Sequence, residues 1–87
     1  LHFRPIGELV LKGKTEALKI YEPLKHPYAD MVAYEEAYKT LESGHEESAI
    51  EAFTNIINQN RSDVLVQFHI NRLKRGESGV LIKALEK

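Results

Sequence analysis

The 87-residue chain has no cysteine, so neither disulfides nor thiolate-bound zinc can support its fold and packing alone must hold it together. It has no apolar stretch approaching the roughly 20 residues that cross a bilayer. Its apolar runs are short, as in Leu9-Val10-Leu11. No secretory signal pattern is present, and the expected compartment is the cytoplasm. An initiator methionine is also missing, and because residue 3 already reads as strand, the chain is read as a segment excised from a larger protein. No glycine-rich phosphate cradle follows a strand and opens a helix. The histidines His2, His26, His45 and His69 lack a paired ligand spacing such as i, i+4, so no metal is expected in the segment itself.

What is present is ordinary for a small globular domain: 43% hydrophobic and 29% charged residues, unlike a disordered chain. A chain this short hides only about 60% of its unfolded surface, so the core must be small. The net charge of -1 conceals an uneven layout. Residues 1–26 carry +2, 27–60 carry -6 and 61–87 carry +3. An acidic middle argues against a nucleic-acid surface there, and the basic ends are too weak to imply one, so no nucleic-acid partner is expected.

Residues 4–22 carry strand signals: Ile6, Leu9, Val10 and Leu11 before Gly13, then Ala17, Leu18, Ile20 and Tyr21 after it. A two-residue turn at Gly13-Lys14 predicts a hairpin with Leu9 facing Leu18 and Glu8 facing Lys19. Leu9, Leu11, Leu18 and Ile20 then share an apolar face that something must cover, because an isolated hairpin is marginal in water. Pro23 and Pro27 bracket a linker. Beyond it Tyr34, Ala37, Tyr38 and Leu41 recur at i, i+3, i+4 and i+7, the stripe of an amphipathic helix. Three helices are expected, at about 28–43, 46–58 and 62–75. The second turns Ala49, Phe53, Ile56 and Ile57 inward; the third is capped by Ser62 and turns Val64, Leu65, Phe68 and Leu73 inward. Arg72, Lys74 and Arg75 suit its C-terminal end. Residues 79–87 place Val80, Leu81, Ala84 and Leu85 at a loosely helical spacing. The expected class is α+β: an N-terminal antiparallel β-hairpin (1–24), then a helical region (27–87) made of an antiparallel helix pair and a third helix.

Residues 3–22 resemble the closing two strands of class III adenylate and guanylate cyclase domains, in which an arginine, a glycine, Leu or Val before Lys-Gly, and a closing aromatic recur in order. Arg4, Gly7, Leu11-Lys12-Gly13 and Tyr21 carry that likeness. Asp63, Arg72 and the stretch from Gly79-Val80 to Lys87 resemble the tail that many bacterial cyclases bear after this hairpin. Ala37, Gly44, Ala49 and Phe53 are also similar to the small, turn, small, aromatic spacing of one tetratricopeptide helix pair, although a solenoid would need about three stacked units.

The resemblance implies a parent that converts ATP or GTP to a cyclic nucleotide and pyrophosphate with divalent Mg or Mn. The paired aspartates, purine-reading residues and Asn/Arg motif would lie upstream. No catalytic residue is expected within the segment. Lys12 matches the family lysine that contacts the triphosphate, where a point charge offsets developing negative charge. The segment's partners would be the remainder of the cyclase domain and, through unpaired strand edges, a second copy. The alternative is a tetratricopeptide-like interaction module that binds a peptide beside Tyr34 and Tyr38. Glu35-Glu36 and Glu46-Glu47 are not expected to act as acid–base pairs, because neighbours on a helix diverge by about 100°.

Overall fold

A computed structural model describes residues 2–10, 16–25 and 30–83. In chain order the elements are β1 (His2–Val10), β2 (Ala17–Leu24), α1 (Met31–Glu42), α2 (Glu46–Gln59), α3 (Val64–Lys74) and β3 (Leu81–Lys83). The expected α+β class holds: a hairpin precedes a helix pair and a third helix. A third strand, which the sequence reading did not anticipate, completes a sheet of order β2-β1-β3.

The hairpin is antiparallel, with Leu9 opposite Leu18 and Glu8 opposite Lys19, as the spacing predicts. The register slips between Pro5 and Gly7, leaving Ile6 as the extra residue of a β-bulge. Past the bulge Arg4 stands opposite Glu22, and strand alternation therefore puts this pair on the same face as Leu18 and Ile20. That face is not the dry one expected, since Leu18 is 54% exposed and, among the described residues of the hairpin, the buried ones are Arg4 and Gly7. The helices close an apolar core of their own, and the hairpin joins it through polar groups. Leu11 and the Gly13-Lys14 turn lie outside the described residues.

Helix α1 buries Tyr34, Ala37, Tyr38 and Leu41, the stripe its spacing predicts. At the end of α1, Gly44 adopts φ +88, a left-handed turn that glycine makes without steric penalty. The chain then doubles back into α2, which packs on α1 through Ala49, Phe53 and Ile56, with Ile57 half-buried. The small side chains of Ala37 and Ala49 are both buried in this core.

Helix α3 is rotated relative to the sequence reading. Its buried residues are Val66, His69, Ile70, Arg72 and Leu73, whereas Val64 is 81% exposed and Phe68 lies at the surface. The cap is also shifted, because Asp63 rather than Ser62 accepts the hydrogen bond from the Val66 N–H. Beyond α3 the loosely helical reading fails over residues 81–83, which form β3 parallel to β1 with Leu81 opposite Glu8 and Ile82 opposite Leu9. The Glu8 N–H donates to the Val80 carbonyl at 2.8 Å, and Val80 itself enters the helical core. Parallel strands require a long crossover, supplied here by β2 and all three helices.

Candidate functional site: the hairpin–helix junction

Where the hairpin meets the helices, the contact is built mainly from charge. Arg4 on β1 donates from Nε to Glu22 at 2.9 Å and from Nη1 to Asp63 at 2.7 Å, with its guanidinium 4.9 Å from the centre of the Tyr34 ring. Burial on its own lowers the pKa of Arg4. The hydrogen bonds and charges of Asp63 and Glu22 outweigh that effect and leave it raised. Asp63 has two roles, since one oxygen caps α3 and the other holds Arg4. The Tyr34 hydroxyl donates to the Pro5 carbonyl, satisfying a backbone acceptor at the residue where the register slips.

A second cationic group fastens β3. Arg72 is only 1% exposed, yet it donates to Glu77 at 3.0 Å and to the carbonyls of Gly79 and Leu81 at 3.2 Å each. Its Nη1 also donates to His69 Nδ1 at 3.2 Å. That contact makes Nδ1 an acceptor and leaves the ring proton on Nε2, which lies near the Ile6 backbone but, among the described residues, makes no hydrogen bond of ordinary geometry. His69 is fully buried, stacked on Phe53 at 5.2 Å and flanked by Tyr34, Tyr38 and Phe68. Burial first, and then the charges of Arg72 and Arg4, push its pKa down to about 4, while the nearby Ile6 backbone only partly opposes this. Glu77 is held below the usual carboxylate range chiefly by its hydrogen bond from Arg75, with Arg72 contributing.

Gly7 adds a steric condition. A Cβ at this position would lie 2.7 Å from both the Val80 carbonyl oxygen and Ile82 Cδ1, closer than real side-chain carbons come. Only glycine lets β3 lie against β1 at this point.

Beside this junction a groove of about 220 Å3 opens between the hairpin and α1. Pro5, Gly7, Ile20 and Tyr21 line its sheet side, and Tyr38 lines its helix side. Tyr34 and Tyr38, expected as an interaction surface, are thus separated. Tyr34 is wholly within the core, whereas Tyr38, 8% exposed, borders the groove. Burial, followed by the charges of Glu42 and Glu8, raises the Tyr38 hydroxyl to about 12. Lys12 lies outside the described residues, as does His26.

Spacing alone does not mark Arg4, His69 and Arg72 as the buried groups they are. A signal for the last two was present, because Val66, Ile70 and Leu73 alone make the i, i+4, i+7 stripe that surrounds them.

No protein-family model matches the chain, and no curated protein and no solved structure matches it. Among the described residues no group of three or more His, Cys, Asp or Glu side chains could hold a metal ion. Among them, too, no helix is long and apolar enough to cross a membrane.

Proposed function

We propose that the chain is the C-terminal part of a class III nucleotidyl cyclase, itself noncatalytic, whose hairpin closes the catalytic sheet and whose helical tail braces that hairpin. One observation carries this reading: residues that resemble cyclases in each half take part in the contacts that hold the halves together. Arg4 pairs with Asp63, Gly7 admits Val80, and Arg72 grips the carbonyls of Gly79 and Leu81. A hairpin and tail that merely adjoined in sequence would not share their distinguishing residues in one set of contacts. In the parent, ATP or GTP and Mg or Mn belong to upstream residues, and Lys12 reaches the triphosphate from the hairpin end. The encoding open reading frame should contain paired aspartates and an Asn/Arg motif upstream of Leu1. In the full-length protein Lys12→Ala should weaken triphosphate use while leaving the fold intact. Unchanged cyclase kinetics would remove Lys12 from the site, and an upstream region without those motifs would end the cyclase reading.

A second reading is favoured by Tyr38. This side chain is more than nine-tenths buried, borders an open groove, and among the described residues its hydroxyl has no hydrogen-bond partner. Such a group is suited to receive a peptide, as in an interaction module. Titration with short peptides, followed at the Tyr38 amide, tests this reading independently of any cyclase activity.

A further inference from the structure

We propose that the groove between the hairpin and α1 receives the guanidinium of an arginine side chain presented by a partner protein. This rests on the peptide-binding reading and specifies its partner chemistry.

Size sets the first limit. At about 220 Å3 the groove falls below the roughly 300–1,000 Å3 of sites that enclose whole small molecules. It is large enough for one long side chain and too small for a nucleoside triphosphate. Charge sets the second. Glu8 from β1 and Glu35 and Glu42 from α1 line the groove, and among the described residues none of the three is joined to a cation by an ion pair. Lys19 and Lys39 lie on the same rim, both exposed, and leave a net charge of -1. An anionic or phosphate-bearing occupant would meet those carboxylates at close range, whereas a cation would gain from them.

The walls make the third argument. Tyr21 and Tyr38 border the groove from opposite sides, on β2 and α1, and a planar guanidinium stacks on aromatic faces better than a compact ammonium does. The Tyr38 hydroxyl stays protonated at neutral pH and keeps oxygen lone pairs able to accept from guanidinium N–H groups, with Glu8 and Glu42 near enough to act on it. An arginine would therefore meet an acceptor, flanking carboxylates and two aromatic rings in one place.

The test uses the isotope-labelled 87-residue chain titrated with N-acetyl-arginine-N′-methylamide and, separately, with the citrulline analogue, which has nearly the same shape but no charge. Saturable amide shifts at Glu8, Tyr38 and Glu42 are expected with arginine, and binding roughly five- to tenfold weaker with citrulline. Glu8→Gln/Glu42→Gln should weaken arginine binding by a similar factor while retaining a dispersed spectrum. Lys39→Met should tighten it. If that double variant fails to fold, the arginine–citrulline comparison on the unaltered chain still decides. Equal binding of the two probes would overturn charge recognition while leaving peptide binding intact. Absence of shifts with either probe would overturn both readings.

Discussion

Acidification should destabilise this protein before its carboxylates titrate, and His69 is the reason. In the unfolded chain an exposed imidazole titrates near its ordinary 6.5, whereas in the fold His69 titrates near 4. Above pH 6.5 neither state binds the proton, so the contribution to stability is constant. Between about 6.5 and 4 the unfolded chain takes up a proton that the folded chain refuses, and stability falls with pH over that window. Below about 4 both states are protonated and the loss levels off. At pH 5 these two values correspond to a loss of about 2 kcal/mol relative to pH 7.5, a large fraction of what a domain of this size possesses. Urea unfolding at a series of pH values measures the effect directly. The comparison is His69→Gln, which does not titrate but offers Arg72 an oxygen acceptor in place of Nδ1. It should start from a lower stability at pH 7.5 and show little further loss down to pH 5. A wild-type loss under about 0.5 kcal/mol over that interval, or an equal slope in the glutamine variant, would refute the assignment.

Three further perturbations address the junction. Gly7→Ala forces a carbon against the Val80 carbonyl; it should cost about 1–3 kcal/mol and accelerate hydrogen exchange at the Glu8 amide, whose acceptor is that carbonyl. Asp63→Ala removes a cap and one of the carboxylates that hold the buried Arg4 guanidinium, leaving Glu22 in place, with an expected loss of about 2–4 kcal/mol in chemical denaturation. Asp63→Asn keeps the capping oxygen and should recover about 1 kcal/mol of that loss; an alanine variant no worse than asparagine would show that the cap contributes nothing. Arg72→Met keeps much of the side-chain bulk but frees the Gly79 and Leu81 carbonyls, so the amides of residues 80–83 should lose exchange protection while those of α1 and α2 keep theirs.

How much of this could be read from the sequence depends on what drives each element. Helices α1 and α2 bury apolar stripes, so Tyr34, Ala37, Leu41, Ala49 and Phe53 were placed correctly by spacing alone. The hairpin register was legible for a similar reason, because Gly13 and the flanking β-formers restrict the pairings available. Helix α3 misled because a hydrophobicity argument assigns Val64 and Phe68 inward and gives no reason to bury His69 or Arg72. The chain buries both and exposes Val64, since Arg72 finds carbonyl acceptors at Gly79 and Leu81, a kind of contact that hydrophobic period does not register, and Asp63 finds Arg4 at the far end of the chain. Strand β3 was missed because Val80-Leu81-Ile82 is too short to show a period. Its place is set by a gap at Gly7, more than 70 residues earlier in the chain.

The groove was legible only in part. Tyr34 and Tyr38 share a helix face and look equivalent in sequence, but a difference of four residues along α1 places the first beneath Arg4 and Pro5 and the second beside an opening. The distinction is made by the bulge at Ile6. It puts Arg4 on the face of β1 where it can meet both Glu22 and Asp63, and it brings the Pro5 carbonyl to the Tyr34 hydroxyl, which fixes the hairpin over one end of α1. Tyr38, one helical turn further on, is left with Glu8 and Glu42 as nearby charges and, among the described residues, no hydrogen-bond partner for its hydroxyl. Inserting one residue between Ile20 and Tyr21 would give Ile6 a cross-strand partner, restore simple alternation and turn Arg4 to the opposite face. The ion pair with Asp63 would then be lost along with the groove, so the variant should lose arginine-probe shifts at Tyr38 and protection at the Val66 amide together. Loss of one without the other would show that the clamp and the groove are independent features.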